Sequence, residues 1–384
     1  MTKKVSILIN SLNAGGAERE VSLILQKLQD THDITLVLFT NSIEYKLPEN
    51  QKIITLNQPL FEHGIFTILK LPLLAWRYKR ICRKNKIEIS FSFLKRTNYA
   101  NCLSRLFGNK ARIIVSELAY LSEYIKLMSP AEKFVAIHFT KKLYRLAHLI
   151  VPNAKMIKID LERNFNIHTK YRVINSPVDL DMIKPLSKME ADISKGDIFT
   201  LINVAGFRPQ KNHELLIEAF DKVRHLPVRL LLLGKGELED TIRNKVKEMN
   251  LETQVIFLGF DSNPFKYLSK CDCFILSSDF EGFPNCVLEA MACSLPVIST
   301  DCLSGPREIL APGTDPSVNI TDHLEVSDCG ILVPVNNAQL LADAIDLLVN
   351  DKILLEKMKS NALYRVKDYD IEKIIGEFED LLSE

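Results

Sequence analysis

Two glutamates, Glu281 and Glu289, are separated by seven residues in a segment that resembles a ligand-binding edge. An apolar run at 274–276 predicts a buried strand, a turn containing Phe283 follows, and apolar positions at helical spacing predict a helix near 285–293. One carboxylate then lies in the turn and the other about one turn inside the helix. The positive end of that helix directs free backbone N–H groups outward, namely those of Asn285, Cys286 and Val287. Amides for phosphate, with carboxylates for hydroxyl pairs on either side, suit a sugar nucleotide.

A second set of polar residues follows the first predicted strand of the C-terminal half. Gly206, Arg208 and Lys211 lie where the strand at 198–204 gives way to the helix near 212–224. Arginine offers a planar fork of donors and lysine a point charge, so the pair can offset two phosphate charges without a metal. A solvated basic loop is the alternative for this segment taken by itself.

Three further turns follow predicted strands. Gly234 and Gly236 come after the strand at 228–233, and Phe260 comes after the strand at 254–258, where its ring could stack on a base. In the N-terminal half, Gly15 and Gly16 lie between the first strand and the first helix, where backbone can approach an anion. Each of these turns, taken alone, is equally consistent with an ordinary connection.

The elements that must position these residues alternate along the whole chain. Apolar strands separated by helix-length segments predict a parallel sheet, and the rhythm restarts near residue 198, so we predict two doubly wound α/β domains. In the first half we place strands at 5–9, 34–39, 53–56, 88–91, 112–116, 148–151 and 171–174. A polar, proline-bearing linker near 175–196 joins the halves. Ligands of such sheets bind outside the carboxyl ends of the strands, which places the site in the cleft between facing domains.

Charge divides the chain in the same way. Residues 1–175 hold 28 Lys/Arg against 13 Asp/Glu, and the remainder holds 21 against 35, so a net charge of +1 hides two halves of opposite sign. The excess is concentrated in 60–112, with 12 basic and 2 acidic residues. Opposite signs indicate two domains with different partners.

Several features exclude other classes of protein. No stretch approaches the ~20 apolar residues that span a bilayer, and the N-terminus opens a strand rather than a signal peptide. The eight cysteines form no CxxC pair, so we expect reduced thiols in a cytoplasmic protein. Asp179 and Asp181 have the spacing of a metal-binding carboxylate pair, but they follow Pro177 in the linker and we interpret them as a turn.

In this order and at these strand ends, the pieces resemble the retaining glycosyltransferases of the two-Rossmann-domain (GT-B) type, in the large family 4 group. The resemblance covers essentially the whole chain. It rests on the Gly15-Gly16-Ala17-Glu18 turn, on residues 206–212, on the Gly234-x-Gly236-Glu237 turn and on Glu281 with Glu289.

The resemblance implies roles for these residues. Arg208 and Lys211 bind the donor diphosphate, and Gly16 lies against the donor phosphates. Glu289 holds the ribose hydroxyls, while Glu281 and the amides after it hold the transferred sugar. It further implies domains at 1–175 and 176–366, with a last helix at 367–384 that packs back on the first domain.

The resemblance also bears on the chemistry. It argues against a covalent intermediate of the kind that retaining hydrolases use. We therefore expect front-face attack, in which the leaving phosphate oxygen takes the acceptor's proton, with no metal and no cofactor.

One departure concerns the turn after the fifth strand. Many relatives carry a histidine there that touches the donor sugar, whereas this chain has Leu118. Either Ser116 or Glu117 takes that place, or His138 approaches from the next helix, or the enzyme does without. His138 and His148 both stand in apolar patterns that favour packing roles.

The basic first domain indicates a membrane surface. Residues 66–86 combine an apolar start with Trp76, Tyr78 and a run of Arg and Lys, a composition typical of an interfacial helix. We expect peripheral binding to the inner face of the plasma membrane and a lipid-linked or cell-surface glycan acceptor. No nucleic-acid motif appears. The resemblance implies a UDP-linked hexose or N-acetylhexosamine as the donor.

Three other functions agree less well with the pattern of residues. A sugar-nucleotide epimerase shares this architecture but does not need a basic, apolar first domain. A non-catalytic sugar-nucleotide or glycan-binding homologue would not need Arg208, Lys211, Glu281 and Glu289 together. A nicotinamide-dependent oxidoreductase lacks its glycine fingerprint.

Overall fold

The computed structural model describes residues 2–13, 15–59, 69–193 and 198–384. The chain divides into two compact units. Unit 1 contains Met1–Pro177 and Ile371–Glu384, and unit 2 contains Val178–Asp370. Ala14 of the predicted glycine turn, the start of the predicted 66–86 segment and part of the predicted linker lie outside the described residues.

Unit 1 is built on a six-stranded parallel sheet in the order β3-β2-β1-β4-β5-β6. Its strands are β1 (Lys4–Ile9), β2 (Asp33–Leu38), β3 (Lys52–Thr55), β4 (Ile89–Phe93), β5 (Arg112–Glu117) and β6 (Leu149–Pro152). Its helices are α1 (Gly16–Leu28), α2 (Leu71–Lys84), α3 (Lys95–Leu106), α4 (Leu121–Lys126), α5 (Pro130–Leu143) and α6 (Lys155–Phe165), with a 3₁₀ turn at Tyr144–Leu146. The inner strands β1, β2, β4 and β5 are almost wholly buried, as expected of a parallel sheet with helices on its faces, whereas the edge strand β3 is exposed or half-buried.

One helix of unit 1 comes from the end of the described chain. That helix, α15 (Ile371–Ser383), buries Ile374, Phe378 and Leu382 in the same core as Val5 of β1. The predicted seventh strand at 171–174 is wrong, because only Tyr171 forms an isolated bridge, with Ile150 of the edge strand β6.

Unit 2 repeats the plan with seven strands in the order β12-β13-β11-β10-β7-β8-β9. Its strands are β7 (Phe199–Val204), β8 (Val228–Leu233), β9 (Val255–Gly259), β10 (Cys273–Leu276), β11 (Val297–Thr300), β12 (Glu325–Val326) and β13 (Ile331–Val333). All are parallel except β12, which pairs with β13 in the antiparallel sense. Its helices are α7 (Leu180–Leu186), α8 (His213–Val223), α9 (Glu239–Glu248), α10 (Phe265–Leu268), α11 (Asn285–Ala292), α12 (Pro306–Leu310), α13 (Ala338–Asn350) and α14 (Lys352–Val366), with 3₁₀ turns at Pro209–Lys211 and Lys367–Tyr369.

The sheet orders confirm the prediction of two doubly wound domains. In each sheet the chain runs outward in one direction and then returns to continue in the other, so that β1 lies beside β4 and β7 lies beside β10. Ligands of doubly wound sheets bind outside the carboxyl ends of the strands at such a switch point. In unit 2 that position is the gap between the loops that follow β7 and β10.

Candidate functional site

The loop after β7 carries two of the predicted site cations. Gly206 accepts a hydrogen bond from the backbone N–H of Arg208 (2.8 Å), and the 3₁₀ turn Pro209–Lys211 follows. The side chain of Arg208 is exposed, and in the described ranges it has no ion-pair partner. Asn212 then takes a left-handed conformation and its side chain caps α8 by accepting from the N–H of Leu215 (3.1 Å). The turn therefore ends β7, begins α8 and leaves a guanidinium facing solvent.

Lys211 turns the other way, toward the loop that follows β10. Its Nζ lies 2.6 Å from Oε1 of Glu281, which also accepts from the hydroxyl of Ser278 at 2.6 Å. The Ser277 hydroxyl donates to the carbonyl of Lys211 (2.9 Å), so the two loops are joined by backbone as well. Glu281 is buried and Lys211 largely so. Burial acts to lower the pKa of Lys211, but the charge and the hydrogen bond of Glu281, with smaller effects of Cys286 and Cys302, together outweigh it, and the net shift is upward. The ammonium is therefore held in its charged form beside a carboxylate.

The first turn of α11 completes this neighbourhood. Asn285, Cys286 and Val287 are its first three residues, there is no acidic residue among them, and Glu289 is buried one turn further on. The prediction of a free N–H at Val287 is wrong, because that group donates to the carbonyl of Pro284 (3.0 Å). Burial raises the pKa of the Cys286 thiol to about 12, and the charges of Lys211, Glu281 and Glu289 all act on it. The sequence-predicted residues Lys211, Glu281, Cys286 and Glu289 are thus brought together at one helix amino end, where an anion is favoured.

A loop that the sequence did not single out supports the Glu281 turn. The backbone N–H of Glu281 donates to the carbonyl of Leu303 (3.1 Å), and the hydroxyl of Ser304 donates to the carbonyl of Gly282 (2.7 Å). Gly305 has φ of 91°, and a Cβ there would lie 2.4 Å from Cδ of Pro284. Phe283 is buried against Tyr369, with ring centroids 5.4 Å apart. The Phe283 side chain packs in the interior, so only its backbone faces the turn.

That supporting loop is anchored by a buried ion network after β11. Arg307 Nη2 lies 2.7 Å from Asp301 and 2.8 Å from Glu325 of β12. Asp301 also accepts from the N–H of Ile320 (2.8 Å). These partners are up to 24 residues apart in the chain, so spacing alone gives no signal for them.

The glycines after β8 serve the packing of neighbouring loops. A Cβ at Gly234 would lie 2.0 Å from the carbonyl oxygen of Ala205, and one at Gly236 would lie 2.5 Å from that of Phe207. The loops after β7 and β8 therefore approach closer than any side chain permits. Phe260, after β9, is 52% exposed, and Nζ of Lys235 lies 4.7 Å from its ring centroid. An exposed ring at this edge is a free stacking surface.

In unit 1 the Gly15-Gly16 turn is held by a tyrosine. The hydroxyl of Tyr45 donates to the carbonyl of Gly15 (3.0 Å) and accepts from its N–H (3.2 Å). Residues 42–44 add two backbone bonds to Leu12, of 2.9 Å each. α1 begins at Gly16, directly after this clamp. Tyr45 lies 30 residues away along the chain, so no motif or spacing marks it as part of this turn.

Ser116 and Glu117 end β5 inside a buried polar network. The Tyr144 hydroxyl donates to Oε2 of Glu117 (2.6 Å), and the amide of Asn98 donates to Tyr144 (3.1 Å) and to the carbonyl of Ser116 (2.7 Å). Burial raises the pKa of Glu117 to about 7, against the Tyr144 hydrogen bond and the charge of Lys95, which lower it. The carboxyl thus changes charge near neutral pH.

The two histidines do not have the packing roles that their apolar context favours. His138 lies on the exposed face of α5 with its ring 4.0 Å from that of Phe134, one turn earlier, and His148 is exposed with Nδ1 accepting from the N–H of Ile113. That interpretation is wrong because α5 carries apolar residues on its exposed face as well as its buried face. Across the described ranges, no hydrogen bond joins His138 to Ser116 or Glu117.

The described parts of the chain contain neither a metal-binding cluster nor a membrane-spanning helix. No group of three or more His, Cys, Asp or Glu side chains lies close enough together there to bind a metal ion. Asp179 caps α7 by accepting from the N–H of Met182 (2.8 Å), so the Asp179-x-Asp181 pair marks a helix start. Among these same residues, no helix combines the length and apolar character needed to cross a bilayer.

Comparison with known proteins points to one family. A model of the family described as glycosyl transferases group 1 matches residues 188–365. The chain is 37% identical over 377 residues to N-acetylgalactosamine-N,N'-diacetylbacillosaminyl-diphospho-undecaprenol 4-alpha-N-acetylgalactosaminyltransferase of Campylobacter jejuni, covering 97% of both chains.

Two further similarities extend over nearly the full length. A second Campylobacter jejuni enzyme, GalNAc-alpha-(1->4)-GalNAc-alpha-(1->3)-diNAcBac-PP-undecaprenol alpha-1,4-N-acetyl-D-galactosaminyltransferase, is 23% identical over 99% of this chain and 98% of its own. Among solved structures, Anabaena HepE in complex with UDP and glucose superposes with a TM-score of 0.78 at 20% identity, covering 99% of both chains.

Proposed function

The chain belongs to the glycosyl transferases group 1 family, and on that premise we propose that it is a retaining glycosyltransferase. It moves a hexose or N-acetylhexosamine from a nucleotide diphosphate sugar to a lipid-linked or cell-surface glycan. Both Campylobacter relatives are named as transferases of N-acetylgalactosamine to undecaprenol-linked glycans, which favours an N-acetylhexosamine and a polyprenyl-linked acceptor. HepE is complexed with UDP, which favours a UDP-linked donor.

The observation that carries this proposal is the meeting of Lys211 and Glu281 at the β7/β10 switch point, beside the amino end of α11. The cleaved bond joins the anomeric carbon to a diphosphate oxygen, so negative charge develops on the leaving diphosphate. We assign Arg208, Lys211 and the backbone N–H groups of Asn285 and Cys286 to that charge, and of these Lys211 is held in place by its ion pair with Glu281. Preorganised donors of this kind typically supply about 10²–10³ in rate each.

The two carboxylates are assigned to hydroxyl groups of the donor. Glu289, buried one turn into α11, holds the ribose hydroxyls. Glu281, with the amides that follow it, holds the transferred sugar, and its ion pair fixes the ammonium of Lys211 toward the diphosphate. Phe260 stacks on the base. Gly206, Gly234 and Gly236 allow the loops after β7 and β8 to approach each other closely beside the donor. Gly15 and Gly16 of unit 1 are assigned to the donor phosphates, as the family resemblance implies.

The reaction then needs no enzyme nucleophile. The acceptor hydroxyl oxygen forms the new bond to the anomeric carbon on the face from which the diphosphate departs, and its proton passes to the leaving phosphate oxygen. Ser116 and Glu117 occupy the position of the histidine that many relatives have, and we assign them to the acceptor and sugar side although both are buried in unit 1. No metal is required, because Arg208 and Lys211 supply the charge; activity should therefore survive a chelator.

The domains divide the work. We assign acceptor binding to 1–175 with 367–384, and donor binding to 176–366. The basic excess of the first domain holds the enzyme at the anionic inner face of the plasma membrane, where a lipid-linked acceptor resides.

The test is a panel of nucleotide sugars with a polyprenyl-diphosphate-linked glycan as acceptor, read by product mass and anomeric coupling. We expect one UDP-N-acetylhexosamine to be preferred and an alpha product. Arg208→Ala should lower kcat by about 10²–10³, and Glu289→Gln should raise the donor KM. Arg243→Ala is the matched control, because Arg243 pairs with Glu239 on α9, outside the site. Full activity of both site variants would refute the assignment, and interconversion of the donor without acceptor would identify an epimerase.

A further inference from the structure

A concave surface in unit 1 that includes part of the basic segment around Trp76 is lined by basic side chains. It has a cavity volume of about 1000 Å³. One wall is α2 and the other is the edge strand β3. Its lining includes Lys52, Trp76, Lys79, Arg80, Arg83 and Lys84, and we call this surface the α2–β3 groove.

The groove follows from the periodicities of its two walls. Trp76, Arg80, Arg83 and Lys84 recur at helical spacing on one face of α2, while Tyr78 and Cys82 on the opposite face are buried. Lys52 and Ile54 alternate on β3 and so share one face of that strand. The Lys52 ammonium donates to Oδ1 of Asn85, just beyond α2 (2.7 Å), which ties the two walls together.

The charge of the α2–β3 groove is uncompensated in the described part of the chain. None of its five cations has a carboxylate within ion-pairing distance there, and no acidic residue is among those that line it. Like charges this close repel one another, and the repulsion is relieved when an anion enters. The chemistry that fits is a phosphate group.

Apolar side chains at the rim of the groove favour the phosphate of a lipid over that of a soluble molecule. Trp76 is 41% exposed, and Arg80 lies 4.8 Å from its ring centroid; Leu69 and Leu73, just before it, are 69% and 49% exposed. An indole beside exposed leucines and basic groups suits the boundary between headgroups and acyl chains. A soluble diphosphate has no use for that apolar rim.

We propose that the α2–β3 groove binds the phosphate of an anionic lipid headgroup, with Leu69, Leu73 and Trp76 entering the acyl boundary. This deepens the membrane association contained in the proposed function and rests on it. Diffuse attraction depends on the total charge of the surface. Binding in the groove depends in addition on the position of Lys52, which lies on β3 outside α2.

The single tryptophan of the chain makes the test direct. Emission of Trp76 is followed while phosphatidylcholine vesicles, with or without phosphatidylglycerol, are added to the full chain. We expect a blue shift only with phosphatidylglycerol, weakening with salt. Lys52→Gln should lower the partition coefficient about fivefold, the effect of one charge at an anionic surface. Lys142→Gln, an exposed lysine of α5 outside the groove, should lower it less than twofold. Equal effects of the two variants would overturn the groove in favour of diffuse attraction.

Two further arms separate the possible sources of phosphate. Leu73→Ser should weaken vesicle binding but leave the affinity for inorganic pyrophosphate, read by Trp76 intensity, unchanged. Saturation by pyrophosphate without vesicle binding would assign the groove to a soluble ligand, and stronger competition by single-stranded RNA than by vesicles would assign it to nucleic acid; either overturns the proposal. Glycosyl transfer is measured separately with a detergent-solubilised acceptor. Vesicle binding without transfer refutes the proposed activity alone, and transfer without vesicle binding refutes the groove alone.

Discussion

Replacement of Lys211 by methionine separates the electrostatic role of this side chain from its structural role. Its ammonium lies 2.6 Å from Glu281, and the side chains are 18% and 7% exposed, so loss of the cation leaves a buried carboxylate unpaired. Breaking such a pair from one side typically costs about 3–5 kcal/mol. For a unit of this size that corresponds to a fall in Tm of roughly 6–20 °C.

The double variant Lys211→Met/Glu281→Gln removes the orphaned charge. Most of the lost stability should return, because a neutral amide can keep the hydrogen bond from Ser278. Activity should not return, because the cation that offsets the diphosphate is still missing, and the rate should stay about 10²–10³ below wild type. Thermal unfolding followed by circular dichroism, together with donor kinetics on all members of the cycle, gives both quantities.

The pH dependence and a control complete the design. The pKa of Lys211 is raised above its ordinary 10.5, so its contribution to stability is fully present below that pH and is lost only as pH rises through the raised value. Lys245→Met breaks a more exposed pair with Glu218 in the same unit and should cost less than about 1 kcal/mol with no loss of activity. If the double variant is as unstable as Lys211→Met, or if it regains activity, the reasoning fails.

Three other outcomes follow from the described contacts. Tyr45→Phe removes the clamp on Gly15 and should raise the donor KM about 2–10-fold with kcat little changed, whereas Tyr171→Phe, which loses a hydrogen bond to Ile167, should leave KM unaltered; equal KM values would deny Tyr45 a positioning role. Phe260→Ala should lose about 1–3 kcal/mol of base stacking and so raise the donor KM roughly 5–150-fold, measured by initial rates. Phe260→Tyr should restore the wild-type KM. The pKa of Glu117, raised to about 7, gives a stability contribution that is present below about 4.5 and lost as pH rises through 7; unfolding measured across this range should show a smaller decline in Glu117→Gln.

The fold and one side of the candidate site were accessible from sequence because both obey local rules. Strand and helix alternate at recognisable periods, and the carboxyl ends of parallel strands share one edge. That rule placed Arg208 and Lys211 after β7 and Glu281 after β10, and the structure brings Lys211 and Glu281 into contact. Two doubly wound domains are confirmed for the same reason.

What sequence reasoning missed depends on contacts between distant segments. Tyr45 reaches Gly15 across 30 residues, and the loop at 303–305 reaches the Glu281 turn across about 20, with no periodicity to mark either. The error at 171–174 has the opposite origin: an apolar run of strand-like composition makes separate backbone hydrogen bonds to the edge strand β6, but only Tyr171 forms a bridge. Burial of individual side chains, as at Phe283 and His138, is set by packing partners that the pattern does not name.

The position of α15 affects how long part of the unit 1 core stays exposed during translation. During synthesis the sheet of unit 1 emerges first, but Ile374, Phe378 and Leu382, which cover part of its core, emerge only after unit 2. Between them roughly 190 residues of unit 2 must be translated, which takes about 10–40 s at usual elongation rates. For that interval the part of the unit 1 core that α15 covers is exposed, which favours aggregation of the nascent first unit. A stop codon a few residues before Ile371 would make that exposure permanent.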